Sequence, residues 1–410
     1  MNVRRAAAVL AAAAVLGAGT APAAFADDAT PSPSAPPEIP AGLHGATDPT
    51  YDGVWRQSLT LLAQDTAGVT PSDRAVGWLT GQQCADGSFA AFRPDPSAAC
   101  DSKTMVDSNS TAAAVQALAA LGGHDAAVGK AVDWLVSVQN EDGGWGYNPG
   151  TPSDANSTSV VIGALVAAGE EPAETVKDGK SPLDALLTFA LPCKGKDAGA
   201  FAYQPDRSGK LLANADATAA AVLGSLGSGL GGRKAEPAGA AAQCAEARTP
   251  EQAAENGAAY LAGPLTEDGH LTSAMPGADP QPDLGNTADA VVALASAGHA
   301  DQAEKAVAHL RDNGVAWAKQ TGPAAYAQLI LTVRAVGADP RDFGGQDLVE
   351  QLNATGPAPK AGKPAEAEEQ GTSEDRGVSP AVWWAGGAAL VVIAAVAALP
   401  AVRASRKRRP

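Results

Sequence analysis

Two wholly apolar runs bracket a long interior in which polar and hydrophobic positions recur in a fixed register. The clearest unit is a Thr followed 11 positions later by a Gly, with an Ala/Val/Leu segment between them. Thr111–Gly122, Thr158–Gly169, Thr218–Gly229 and Thr287–Gly298 all obey it. Tyr326 before Gly337 gives a fifth copy, and Gln57 before Gly68 a degenerate first one. Each copy starts on small polar residues suited to an N-cap and ends on a Gly suited to a left-handed C-terminal turn. The segments are apolar on every face, which predicts helices packed on all sides.

Between them lie more charged, amphipathic segments: Ser72–Gln83, Ala126–Asn140, Leu183–Leu191, Glu251–Ala262, Gln302–Asp312 and Gln346–Leu352. Strict alternation of the two types predicts a double-layered ring, with the apolar helices inside and the amphipathic ones outside. The fold class is therefore all-α, an α6/α6 toroid over residues 51–353. The starting positions 111, 158, 218, 287 and 326 are unevenly spaced. The extra residues are expected between each outer helix and the next inner one, which would gather them into a rim at the inner N-termini.

The flanks read differently. Residues 1–26 carry Arg4 and Arg5, an apolar middle and the ending Ala24-Phe25-Ala26, the pattern of an export signal peptide cut before Asp27. Residues 27–50 form a Pro/Ser linker and 354–380 a Pro/Glu-rich one. Residues 381–402 contain the uncharged run Val382–Val402, long enough for a transmembrane helix across about 30 Å of hydrocarbon. The basic tail 403–410, with Arg403, Arg406, Lys407, Arg408 and Arg409, predicts a cytoplasmic C-terminus. The expectation is an exported protein anchored in the cell membrane with its toroid outside.

Charge sharpens this picture. The whole chain is formally −16, but neither end carries an acid and the ends hold seven of the 29 basic residues. Residues 27–380 thus set 22 basic residues against 45 acidic ones, a net −23. Such a surface argues against nucleic acid as a partner. The five histidines, His44, His124, His270, His299 and His309, show no ligand spacing, and no Cys-x-x-Cys occurs. No metal site and no cofactor is implied. Cys84, Cys100, Cys193 and Cys244 allow three pairings, of which disulfides Cys84–Cys100 and Cys193–Cys244 are favoured by their short loop spans.

Outer segments are followed by a Gly-aromatic turn. Gln139-Asn-Glu-Asp-Gly143-Gly-Trp145 shows it in full, and Gln83-Cys-Ala-Asp-Gly87-Ser-Phe89 with Phe for Trp. Gly199-Ala-Phe201 keeps only its end, and Glu267-Asp-Gly269-His-Leu271 loses the ring. Alternation and turn together resemble the prenyltransferase/squalene-oxidase repeat of the terpenoid cyclase/protein prenyltransferase α/α-toroid superfamily. Within it, the starts Asn-Ser-Thr-Ala and Asn286-Thr-Ala-Asp look most like the helical domain of transcobalamin and intrinsic factor. That resemblance implies a corrinoid (cobalamin-like) ligand at the mouth, with either a β-domain supplied by a separate protein or a different ligand. The cyclases resemble one another in an Asp-x-Asp-Asp acid motif, and no such string occurs here. Aromatics make up only 4% of the chain, which is poor material for a cavity that stabilises carbocations. The Asp/Cys/His zinc site of protein prenyltransferases is not seen either.

Candidate ligand residues cluster at the inner-helix starts. Asp107, Asp154, Asn214 and Asp283 stand four positions before each Thr, and Asn109, Asn156 and Asp216 stand two before. With Thr111, Thr158 and Asn286 they either cap helices or ring a concave mouth with polar groups. Tyr147 and Tyr203 follow the Gly-aromatic turns, and Tyr326 takes the Thr position of the fifth copy. The leading reading is a tethered extracytoplasmic binding protein that captures a corrinoid or isoprenoid for a membrane transporter. One alternative is a cyclase/prenyltransferase-like or carbohydrate-active toroid enzyme, with Asp107 and Asp154 as an acid–base pair. Another is an acidic envelope scaffold.

Overall fold

The computed structural model describes residues 39–273 and 279–361. These belong to one unit, Met1–Gly362, while the second unit, Lys363–Pro410, lies outside the described residues. The signal peptide 1–26, the span 381–402 and the tail 403–410 lie outside them too. Among the described residues no helix is long and apolar enough to cross a membrane.

Six inner helices form the ring: α1 (Gly53–Thr66), α3 (Ser108–Leu121), α5 (Ala155–Ala167), α7 (Ala215–Ser225), α9 (Leu284–Ser296) and α11 (Pro323–Ala335). Each packs on the next, and α11 returns to α1. Six outer helices back them: α2 (Asp73–Gly81), α4 (Asp125–Ser137), α6 (Pro182–Leu187), α8 (Pro250–Glu267), α10 (Glu304–Thr321) and α12 (Leu348–Asn353). In α5 every residue from Ser157 to Leu165 is buried, as an all-round apolar sequence requires. In α4 only Val128, Ala131, Val132, Trp134 and Leu135 are, a stripe on one face.

The repeated Thr is the stitch that holds inner helix to turn. Its hydroxyl accepts the backbone N–H of the residue ending the preceding turn: Phe89 to Thr111 at 2.9 Å, Trp145 to Thr158 at 3.1 Å, Phe201 to Thr218 at 2.9 Å, Leu271 to Thr287 at 2.9 Å. The turn's glycine is fixed by sterics as well. A Cβ on Gly143, whose φ is +86°, would stand 2.5 Å from the Ser181 carbonyl at the start of α6. Gln139 donates to the Gly143 and Thr175 carbonyls, and Gln83 to those of Gly87 and Ala127, so these two turns also tie one repeat to the next. Trp145 is buried and donates its ring N–H to the Leu135 carbonyl.

Several expectations needed correction. Helix α10 runs past Gly314, because Leu329 packs against that glycine and would meet a Cβ at 3.0 Å. Helix α8 passes Gly263-Pro264, and Thr266 donates to the Ala262 carbonyl in the turn that the proline loosens. Helix α6 ends early, since Phe189 and Leu191 pair with the 200–202 backbone instead. Among the described residues the named elements are helices save for one short antiparallel pair, β1 (Leu271–Ser273) and β2 (Gln281–Asp283). Residues 39–50 and 354–361, assigned to the linkers by composition, pack on the ring. Leu43 and His44 are buried, Gln57 accepts the His44 N–H, and Gly45 donates to the Thr355 carbonyl.

The insertions do not all gather at the rim. The 24-residue connection 226–249 joins inner α7 to outer α8, at the inner C-terminal end. Helix α7 stops early, with Gly227 taking positive φ, so Gly229 is no C-terminal cap. Both expected disulfides are present, Cys84–Cys100 and Cys193–Cys244, with Cα atoms 5.7 and 5.5 Å apart.

Candidate functional site

All six inner helices line one cavity on the ring axis, about 190 Å³ in volume. Its polarity is graded along that axis. At the mouth end stand the second residues of three inner helices, Asn109, Asn156 and Asp216. One turn deeper come Asp289 on α9 and Gln328 on α11. Below them the wall is apolar, with Val160, Leu223, Val292 and Leu331, and Leu230 closes the floor. Trp55 is the one aromatic ring in that lining.

The collar is a hydrogen-bonded set of amides and acids. Asn156 donates its amide to Asp216 at 2.5 Å, which leaves its own carbonyl oxygen buried without a partner. Gln328 donates to both oxygens of Asp289, each at 3.1 Å. Burial pushes the Asp289 carboxyl up to about 7, reinforced by the charge of Asp216, against the opposing Gln328 bond. Burial raises Asp216 too, opposed by the bond from Asn156. The chemistry available is a neutral carboxylic acid facing an apolar hollow, beside a second carboxylate. Among the described residues no three His, Cys, Asp or Glu side chains stand close enough to hold a metal.

The other sequence candidates divide by role. Asp107, Asp154, Asn214 and Asp283 cap α3, α5, α7 and α9, each accepting a backbone N–H three residues on. Asn286 donates its amide to the same Asp283. Thr111 and Thr158 are buried in their stitches. The pairing of Asp107 with Asp154 as acid and base is therefore corrected: both carboxylates serve as caps, and the carboxyl pair in the cavity is Asp216 with Asp289.

Tyr326 does not line the axial cavity and donates instead to Gln351 on α12. Tyr203 donates to Asp154, and burial with the nearby acids raises its hydroxyl to about 12. Tyr147, 42% exposed, lines a rim groove of about 720 Å³ together with Tyr51, Met105 and Asp107. Burial lifts Asp107 to about 6 despite its bonds from Ser110. A larger hollow, about 820 Å³, lies at the opposite end beside Arg233, Lys234 and Arg334, among helix C-termini. It shares no lining residue with the axial cavity.

Asp289, Gln328, Trp55 and Leu230 were not expected from sequence. Asp289 had a signal, being an acid in the apolar run Ala288-Asp-Ala-Val-Val, and Leu230 had none.

Residues 47–235, which carry α1 to α7 and the start of the following connection, match the prenyltransferase alpha-alpha toroid domain. Over that segment the chain carries a toroid domain of the terpenoid cyclase/prenyltransferase superfamily. A squalene–hopene cyclase of Zymomonas mobilis subsp. mobilis is 32% identical over 158 residues, 34% of this chain and 22% of the cyclase. A drimenyl diphosphate synthase of Streptantibioticus cattleyicolor is 36% identical over 80 residues, 20% of this chain and 13% of the synthase. The toroid thus matches less than a quarter of the length of either relative. Among solved structures, ent-copalyl diphosphate synthase from Streptomyces platensis aligns over 71% of this chain and 50% of its own, with TM-score 0.40 and 18% identity. A sugar epimerase from a ruminal bacterium aligns over 73% of this chain and 93% of its own, with TM-score 0.46 and 13% identity. One of these sequence relatives is a cyclase and the other a diphosphate synthase, so the comparisons favour the toroid-enzyme reading over the corrinoid one.

Proposed function

We propose that the toroid is an exported, cyclase-type protein that takes the apolar part of an isoprenoid into its axial cavity and performs acid–base chemistry there. The observation that carries this reading is Asp289, an acid kept neutral to about pH 7 above an apolar floor, next to Asp216. In such a pair Asp289 delivers its proton to an alkene carbon. Asp216, which accepts the Asn156 amide, removes a proton from the neighbouring carbon of the resulting cation. The net change is isomerisation or cyclisation with no atom gained or lost. The two disulfides fit an oxidising compartment. The uncharged run within 381–402 and its basic tail support an anchor with the toroid outside.

A second reading is capture without turnover, with delivery to a membrane transporter or other partner. The single cavity aromatic, Trp55, favours it, since one ring gives a passing cation little stabilisation. Full-length protein incubated with isoprenoid alcohols, prenyl diphosphates and squalene separates the two readings. Mass spectrometry of the extracts should show an isomeric product that Asp289→Asn abolishes. Bound but unchanged compound supports capture. No binding of any isoprenoid overturns both.

A further inference from the structure

The axial cavity is a blind well only because of residues 227–233, Gly-Ser-Gly-Leu-Gly-Gly-Arg, which cross beneath the ring as a single layer of chain. Ser228 donates its N–H to the Leu223 carbonyl at the end of α7. Leu230 donates to Gln116 of α3 at 2.8 Å, and Gln116 in turn donates to the Val160 carbonyl of α5. A Cβ on Gly231 would come within 4.0 Å of both Leu331 on α11 and Leu62 on α1. Arg233 closes the crossing on α9, through two bonds to Ser296. The segment thus meets every inner helix.

Its glycines are fitted to this passage. A Cβ on Gly163 of α5 would stand 2.7 Å from the Gly229 Cα, so backbone and helix touch with no side chain between them. One side chain points the other way, into the ring. Leu230 lines the axial cavity, while Gly227–Gly229 and Gly231–Arg233 line a groove of about 510 Å³ on the far side. One layer of backbone and the Leu230 side chain therefore lie between two hollows.

We propose that Leu230 is a removable floor that sets how long an apolar chain the axial cavity accepts. The proposal rests on the reading of that cavity as an isoprenoid site. With Leu230 in place the well holds about 190 Å³, below the roughly 300–1,000 Å³ of sites that enclose drug-sized ligands. Shortening Leu230, or pushing the strap outward, deepens the well towards the groove below. A chain that now stops at the floor would then reach further.

Straight-chain primary alcohols of increasing length test this in the full-length protein with both disulfides intact. Each methylene that finds apolar wall tightens binding about fourfold, so affinity climbs with length and levels off where the chain meets the floor. In Leu230→Gly the climb should continue past that break, with alcohols a few carbons longer bound at least tenfold more tightly than by the parent. Gly163→Ala should do the same through the strap backbone, while its new alanine suits the helix. Leu230→Phe should move the break to a shorter alcohol. The same break in all four proteins overturns the floor.

A second readout needs no ligand in the well. Acrylamide quenching of Trp55, isolated by subtracting each protein's Trp55→Phe form, should rise at least twofold in Leu230→Gly and Gly163→Ala. Unchanged quenching overturns the proposal. If the parent protein binds no alcohol or isoprenoid while quenching rises as expected, the floor stands and the isoprenoid reading falls.

Discussion

The two ends of the ring are held by different means. At the mouth the same device is used four times: a capping side chain, a Thr accepting the turn's N–H, and a buried residue closing the turn. At the floor one glycine-rich strap crosses once and hangs from one glutamine on α3 and one serine on α9. Repetition makes the mouth hard to alter, because each cap supports a helix that two neighbours need. The floor can change while the ring stays closed. The polar chemistry thus sits where the fold is most constrained, and the length of the cavity is set where it is least constrained.

The largest expected effect separates the collar's chemistry from its stability. Folded Asp289 holds its proton up to about pH 7, whereas in the unfolded chain it ionises near its ordinary 3.8. The folded state therefore binds more protons in that window. Its contribution to stability is complete at low pH and is lost as pH rises through about 7. Asp289→Asn removes the ionisation, so at pH 8 the variant should be more stable than the parent by on the order of 2–3 kcal/mol. Near pH 4 the two should melt together. Thermal melts across that range check it, and a parent advantage at pH 8 would contradict the buried-acid assignment.

A smaller loss is expected from Thr158→Val. The substitution keeps volume and leaves the Trp145 N–H buried without an acceptor, at a cost of about 1–3 kcal/mol. Urea midpoints measure it. If the mouth is as over-determined as four equal stitches imply, Thr111→Val and Thr218→Val should cost similar amounts. A near-neutral result at all three positions would mean that the register is decorative.

Much of this comparison could be read from residues alone, and the mouth best of all. Caps such as Asp107 and Asp154 follow from local preference, and the Thr-to-Gly spacing reports one helical length. Gln83 and Gln139 announce the turn. Asp216 was found because it stands in that register. Asp289 was missed because it lies outside it, one turn into α9, where only the assembled ring turns it toward the axis. Tyr326 was read as a Thr replacement, yet its hydroxyl goes to Gln351 on the following helix, α12. The floor was least legible. Gly229 satisfied the helix-stop spacing, but α7 ends before it, and the glycine serves a close approach to Gly163. Glycine's tolerance of left-handed turns and its lack of a side chain give the same letter in a sequence, and only a neighbour 100 residues away or on the next helix tells them apart.

The smallest expected effect on stability falls at the floor, and it tests the contrast most directly. Gln116 is buried on α3, accepting the Leu230 N–H and donating to the Val160 carbonyl. Gln116→Ala removes both bonds but leaves the strap tied at Ser296, and alanine is the better helix former at that site. The net cost should be about 1 kcal/mol, less than at a mouth stitch. Local opening should nevertheless change greatly, because the Leu230 amide loses its acceptor and gains a path to water. Hydrogen exchange at Leu230 should therefore accelerate at least tenfold, while exchange at Phe89 and Trp145 stays at the parent rate. Equal acceleration at both ends would mean that the strap and the ring open as one unit, and the mouth and floor would then have to be treated as a single cooperative structure.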